Sequence, residues 1–107
     1  MKVITYEYYL SINERDRIRV KAMREKRNII GFVAQYEAKI ADKWYPVIRY
    51  DTSHGFAHKD ILHIDGRVEK QPLWFPNLNI AFTYAIQDLK IFWTFYRTMC
   101  EKEVKNG

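Results

Sequence analysis

The feature that most constrains this chain is a strict alternation of apolar and polar residues. In Arg17-Ile18-Arg19-Val20-Lys21-Ala22-Met23 every second side chain is basic and the rest are apolar. A helix would scatter Ile18, Val20 and Ala22 around its circumference, whereas a strand collects them on one face. Phe32, Ala34, Tyr36, Ala38 and Ile40 repeat the pattern against Val33, Gln35, Glu37 and Lys39. Before these runs, Lys2 to Leu10 is rich in tyrosine and β-branched residues and reads as a first strand. Ser11-Ile12-Asn13-Glu14 has the spacing of a capping box, but the alternation that follows favours strand over helix.

The punctuation between runs is short. Glu25-Lys26-Arg27-Asn28 and Asp42-Lys43 are polar turns, and Trp44 to Asp51 reads as a strand in which Pro46 demands an edge or a bulge. Ser53-His54-Gly55 makes a turn, Ala57 to Ile64 a further strand, and Asp65-Gly66 a hairpin into Val68 to Gln71. After Pro72 and Pro76 the period changes to that of a helix, capped by Asn77 or Asn79 and running from about Ile80 to Val104. Its apolar positions are Ala81, Phe82, Ala85, Ile86, Leu89, Phe92, Trp93, Tyr96, Met99 and Cys100. The expected fold is a single α+β domain over residues 1–107: an antiparallel β-meander of about five to six strands, with one long C-terminal helix packed on one face.

At 107 residues the chain can bury a core without staples. Its one cysteine, Cys100, rules out an internal disulfide, and the opening residues reach Glu7 too soon for a secretory signal. Both point to the cytoplasm. No run of about 18 apolar residues occurs, which argues against a membrane-spanning helix. Eighteen Lys and Arg against 13 Asp and Glu give +5, a charge that favours encounter with polyanions.

Two surfaces stand out. Tyr84, Ile91 and Phe95 widen the apolar stripe of the helix beyond what one sheet needs, leaving Gln87, Lys90, Thr94, Arg97 and Glu101 as its polar face. A two-fold homodimer contact through those three residues is the expectation, against a margin of one core or cover by Leu73-Trp74-Phe75. If Ile18, Val20 and Ala22 face the helix, then Arg17, Arg19 and Lys21 face away from it, with Lys39 and Arg49 from neighbouring strands. That basic face suits a nucleic-acid backbone, with Arg17, Arg19, Lys21 and Arg49 as the phosphate contacts. Glu37 and Asp51 share the face and could instead pair with the cations.

The most distinctive segment is Arg49 to His63, which holds all three histidines together with Asp51 and Asp60. His58 and Asp60, two apart on a strand, project from one face, and His63 points away. Histidines with carboxylates can cut RNA by acid–base catalysis, the 2′-hydroxyl serving as internal nucleophile. They can also hold a divalent metal, through His54, His58 and Asp60. A third reading is structural: Asp51 and His54 bond the turn, and His58-Asp60 is a surface pair. The spacing matches no specific metal or catalytic motif. Cys100, on the apolar helix face without a histidine near it in sequence, reads as an inert buried thiol.

The stretch Arg49-Tyr50-Asp51-Thr52-Ser53-His54-Gly55, followed by His58 and Asp60, resembles a family of small uncharacterised prokaryotic proteins that share Arg-Tyr-Asp-Thr-Ala-His-Gly, with Ser53 here in place of alanine. The resemblance continues through Ala81 to Trp93, including Tyr84-Ala85-Ile86-Gln87-Asp88-Leu89-Lys90, and supplies a grouping without an activity. A looser similarity is to the TumE-like toxins of toxin–antitoxin modules, which are short, basic, strand-rich and histidine-bearing. It implies an RNA target and a cognate protein partner. The leading expectation is therefore an RNA-binding protein or toxin-type ribonuclease without a stable cofactor or metal, its catalytic set Asp51, His54, His58 and Asp60. The alternative is a non-enzymatic homodimeric interaction module.

Overall fold

A computed structural model describes residues 1–53 and 55–107. The elements are β1 (Lys2–Tyr9), β2 (Asp16–Glu25), β3 (Asn28–Ile40), β4 (Lys43–Asp51), β5 (His58–Leu62), β6 (Val68–Pro72) and α1 (Leu78–Asn106). The strands form one antiparallel sheet in the order β1-β2-β3-β4-β5-β6, as the alternation predicts. Local chemistry sets the register. Ala41 and Asp42 both take positive φ (51° and 64°), the geometry of a tight hairpin whose twist matches that of its strands. Gly66, at φ 94°, turns β5 into β6. Ser11 caps a turn by accepting from the Arg15 N–H, so the capping-box spacing opens no helix. Pro46 lies at an irregularity where β3 shifts register between Tyr36 and Glu37, and β5 pairs with β4 only from Ile48 to Asp51. The missing N–H therefore breaks no ladder bond to β5.

One face of the sheet, built from Ile18, Val20, Ala22, Phe32, Ala34, Tyr36, Ile48 and Tyr50, packs under Ala81, Ala85, Ile86, Leu89, Tyr96 and Cys100 of α1. The helix crosses β3 and β4. Asn77 caps it by accepting from the Ile80 N–H at 3.0 Å, while Asn79 accepts from the Ile29 N–H at 2.8 Å and ties the first turn to β3. Two of its residues depart from their expected places. Arg97, assigned by periodicity to the polar face, turns inward and donates to Asp16 Oδ1 (2.9 Å) and the Lys39 carbonyl (2.9 Å). Asp16 is buried and also accepts from Tyr36, so the guanidinium is held by the partner that needs it. Phe92, one of the apolar positions of the helical pattern, is 50% exposed. Among the described residues no helix is long and apolar enough to cross a membrane.

Midway along α1, Asp88 is buried and accepts from Tyr50 Oη at 2.7 Å and Tyr96 Oη at 2.6 Å. Lys59 Nζ, from β5, donates to Tyr96 Oη at 2.7 Å and lies 3.9 Å from the carboxylate. Burial, reinforced by Asp88, raises both tyrosine pKa values far above the ordinary range, so both hydroxyls remain donors. Asp88→Leu leaves two buried hydroxyls and a half-buried ammonium without their acceptor. It is expected to cost about 2–4 kcal/mol in urea unfolding, against about 1 kcal/mol for Tyr50→Phe.

His63 pins the C-terminal end of α1 to the β5–β6 hairpin, its Nδ1 2.5 Å from Glu103 and its Nε2 2.5 Å from Glu69. Bonds to Glu69 and then Glu103 raise the His63 pKa above 6.5. Burial works to raise the Glu103 pKa, but the bonds from His63 and the Ile64 N–H outweigh it and leave a lowered value. The pin is therefore fully formed between the two shifted titrations. Its histidine contribution is complete below 6.5 and is lost as pH rises through the raised folded value. Melting temperature should fall as pH rises above 6.5 through the raised His63 titration, and His63→Gln should flatten that fall; an equal fall in the variant would assign it to other groups.

Candidate functional site

The site grows from register. On the face away from α1, one residue from each strand forms a continuous cross-strand row, Glu7–Arg19–Gln35–Arg49–Asp60–Lys70. Beside it runs a second row, Thr5–Lys21–Val33–Asp51–His58–Pro72. The alternation that buries Ile18 and Val20 under the helix thus delivers Arg17, Arg19, Lys21 and Arg49 to one open surface, as the sequence leads one to expect.

The cations are not equivalent. Arg17 donates through Nε to Glu37 Oε1 at 2.6 Å and lies flat over Trp44, 3.8 Å from the ring centre. Arg19 stands 3.4 Å from Glu7 and 3.6 Å from Glu37. Arg49 donates to Gln35 Oε1 at 2.8 Å, and Gln35 in turn donates to Glu37. Neither Arg49 nor Lys21 has a carboxylate partner among the described residues. Lys70 lies 3.4 Å from Asp60 but remains exposed. Glu37, Asp51 and Asp60 are buried, Arg19, Lys21 and Lys70 reach solvent, Arg49 is half-buried, and Glu7 is exposed beside Arg19. An open groove of about 530 Å³ follows Thr5, Glu7, Arg19, Lys21 and Gln35 across β1, β2 and β3.

At the β4–β5 junction His58 sits between two acids. Its Nε2 lies 2.7 Å from Asp51 Oδ1 and its Nδ1 3.0 Å from Asp60 Oδ1. Asp51 is fixed in turn by the Ser53 N–H and hydroxyl, at 3.1 and 3.0 Å. The ring is 2% exposed, so a carboxylate faces each nitrogen and neither is presented to solvent. Asp51, His58 and Asp60 thus come together, and His63 points to the opposite side, as its parity predicts. His54, the fourth member of the expected catalytic set, lies outside the described residues. One atom each from Asp51, His58 and Asp60 fall within 4.8 Å of one another, a set whose donors match a divalent ion. A cation on the imidazole would compete with its contact to Asp51. Cys100 is buried and its thiol is pushed up to about 11, mainly by desolvation, as an inert core thiol should be.

Sequence reasoning missed Lys70, Lys59 and Asp88. Counting outward from the Asp65-Gly66 turn would have placed Lys70 across from Asp60. For Asp88 there was no comparable local signal, because its partners are 38 residues away and 8 residues away on another turn of the helix.

A six-stranded meander under one helix, with an acid-backed cationic face opposite, defines the class of small α+β domain. The family described as a domain of unknown function, DUF7718, matches residues 3–106, and the chain belongs to it. No curated protein and no solved structure matches it.

Removing His58 leaves Asp51 and Asp60 buried without the imidazole between them. His58→Ala should cost about 3–5 kcal/mol in chemical denaturation. Adding Asp51→Asn should recover part of this, giving a non-additive double-mutant cycle. Additive losses would mean that the acids do not depend on the ring.

Proposed function

We propose that this domain binds single-stranded RNA across the helix-free face of its sheet. The observation that carries the reading is the row Glu7–Arg19–Gln35–Arg49–Asp60–Lys70, in which Arg19 and Lys70 reach solvent, Arg49 is half-buried next to the buried Asp60, and the exposed Glu7 stands at one end. Phosphate binding gains from cations already oriented, because less side-chain freedom is lost on contact. Binding is favoured over cleavage. A general base must reach the 2′-hydroxyl with a ring nitrogen, and His58 holds both nitrogens against acids in a closed position. The looser TumE-like pattern agrees with an RNA target and a cognate protein partner. A cytoplasmic setting agrees with the single free thiol of Cys100.

A labelled single-stranded oligoribonucleotide should bind with an affinity that falls with salt. Four phosphate contacts, through Arg19, Lys21, Arg49 and Lys70, give a log–log slope of about −3. Arg49→Gln should weaken binding and reduce the slope by about 0.7, with no cleaved product with or without chelator. Salt-independent or undetectable binding would sink the reading, and cleavage lost on dialysis against chelator would turn it towards a metal at Asp51, His58 and Asp60.

A second reading, compatible with the first because it uses the opposite side, is a homodimer through α1. Tyr84, Ile91 and Phe95 are 45%, 62% and 61% exposed, and the exposed Phe92 extends their stripe. Phe95→Glu is expected to convert a dimer to a monomer in sedimentation; a monomeric unmodified protein ends this reading.

A further inference from the structure

The charged rows end in an aromatic pair. Beyond the His58–Pro72 pairing, the Leu73 N–H donates to the Ala57 carbonyl at 2.9 Å, so the β5–β6 ladder continues one step past both strands. Alternation then sets Phe56 opposite Trp74 on the same side as His58 and Asp60. Their rings stack with centroids 5.4 Å apart and planes 23° from parallel. Phe56 in turn meets the His58 ring edge-on at 6.1 Å. Trp74 remains 80% exposed, while its neighbour Phe75 packs against Tyr84 on the helix side. One face of the indole is thus supported by Phe56 and the other is open to solvent. A cleft of about 250 Å³ opens beside the pair, between Gly55–Ala57 and Leu73–Leu78.

Charge complementarity selects the occupant. Lys70 and Asp60 lie four residues along their strands from Trp74 and Phe56, a separation of about 13 Å. Arg49 stands opposite Asp60 in the register of the next strand. A flat ring on the open indole face therefore has cations within reach of a phosphate one or two links away. An unpaired nucleobase attached to its own backbone satisfies both features, and a purely apolar partner would leave Arg49 and Lys70 unused. We propose that Trp74, backed by Phe56, is a stacking site for an unpaired base of the bound strand. This rests on the RNA-binding reading and adds that base rings, not only phosphates, are recognised.

The test compares an eight-nucleotide oligoadenylate with an abasic ribose-phosphate strand of equal length, on the unmodified protein, Trp74→Ala and Trp74→Phe. The unmodified protein should prefer the oligoadenylate by about tenfold or more, with quenching of tryptophan fluorescence. Trp74→Ala should erase the preference while leaving abasic-strand affinity and the salt slope unchanged, and Trp74→Phe should restore much of it. Because the side chain is exposed, an unchanged melting temperature is the expected fold control. Equal binding of both strands by the unmodified protein, with a steep salt slope, overturns the stacking site and leaves the polyanion reading standing. A preference that survives Trp74→Ala also overturns it and assigns base recognition to another part of the face. Binding of neither strand overturns both readings.

Discussion

A single helix can cover only one face of a six-stranded sheet, and the rest of this molecule follows from that constraint. The covered face is mainly apolar, through Ile18, Val20, Phe32, Ala34, Tyr36 and Ile48, and its polar members Asp16 and Lys59 each meet a partner on α1. The uncovered face must remain in water without offering itself to other apolar surfaces. Here the solution is layered: carboxylates lie low among the strands, and long basic side chains extend over them into solvent. Such a face stays hydrated while presenting several cations.

The helix is held to its sheet by polar contacts along its whole length. Asn79 meets the Ile29 N–H, Asp88 meets Tyr50, Arg97 meets Asp16 and Glu103 meets His63. Apolar packing provides most of the attraction but little register along the helix axis, because one aliphatic contact is nearly as good as the next turn. Directional bonds between buried partners penalise every other register, since a shift would leave Asp88 or Asp16 without donors. The same logic applies at His58, where two acids hold one ring orientation and hold it away from solvent.

Much of the architecture was legible because it is local. Period-two runs, the Asp65-Gly66 turn, a polar turn read one residue late at Asp42-Lys43 (it falls at Ala41-Asp42) and the change of period after Pro76 are each properties of adjacent residues. They were enough to define the meander, the terminal helix and the face on which Arg17, Arg19, Lys21 and Arg49 would lie. Parity alone separated His58 and Asp60 from His63. Arg97 and Phe92 depart from periodicity because it describes a helix alone, whereas the sheet beneath this one carries a buried acid at Asp16 and leaves the Phe92 side of α1 uncovered. One flank was therefore left bare, and one cation was drawn inward.

By itself the sequence determined the secondary structure, the strand order and the sidedness of the sheet, because alternation and turn chemistry act over a few bonds. Tertiary structure alone decided which charges are spent. Arg17 is neutralised by Glu37 and Arg49 is not, although both were read as equivalent cations. His58 is enclosed by Asp51 and Asp60, and Trp74 is left open on a Phe56 support. These outcomes depend on which residues the register places opposite one another, across strands distant in sequence. Coulombic and stacking energies at 3–5 Å are decided by that placement and not by composition.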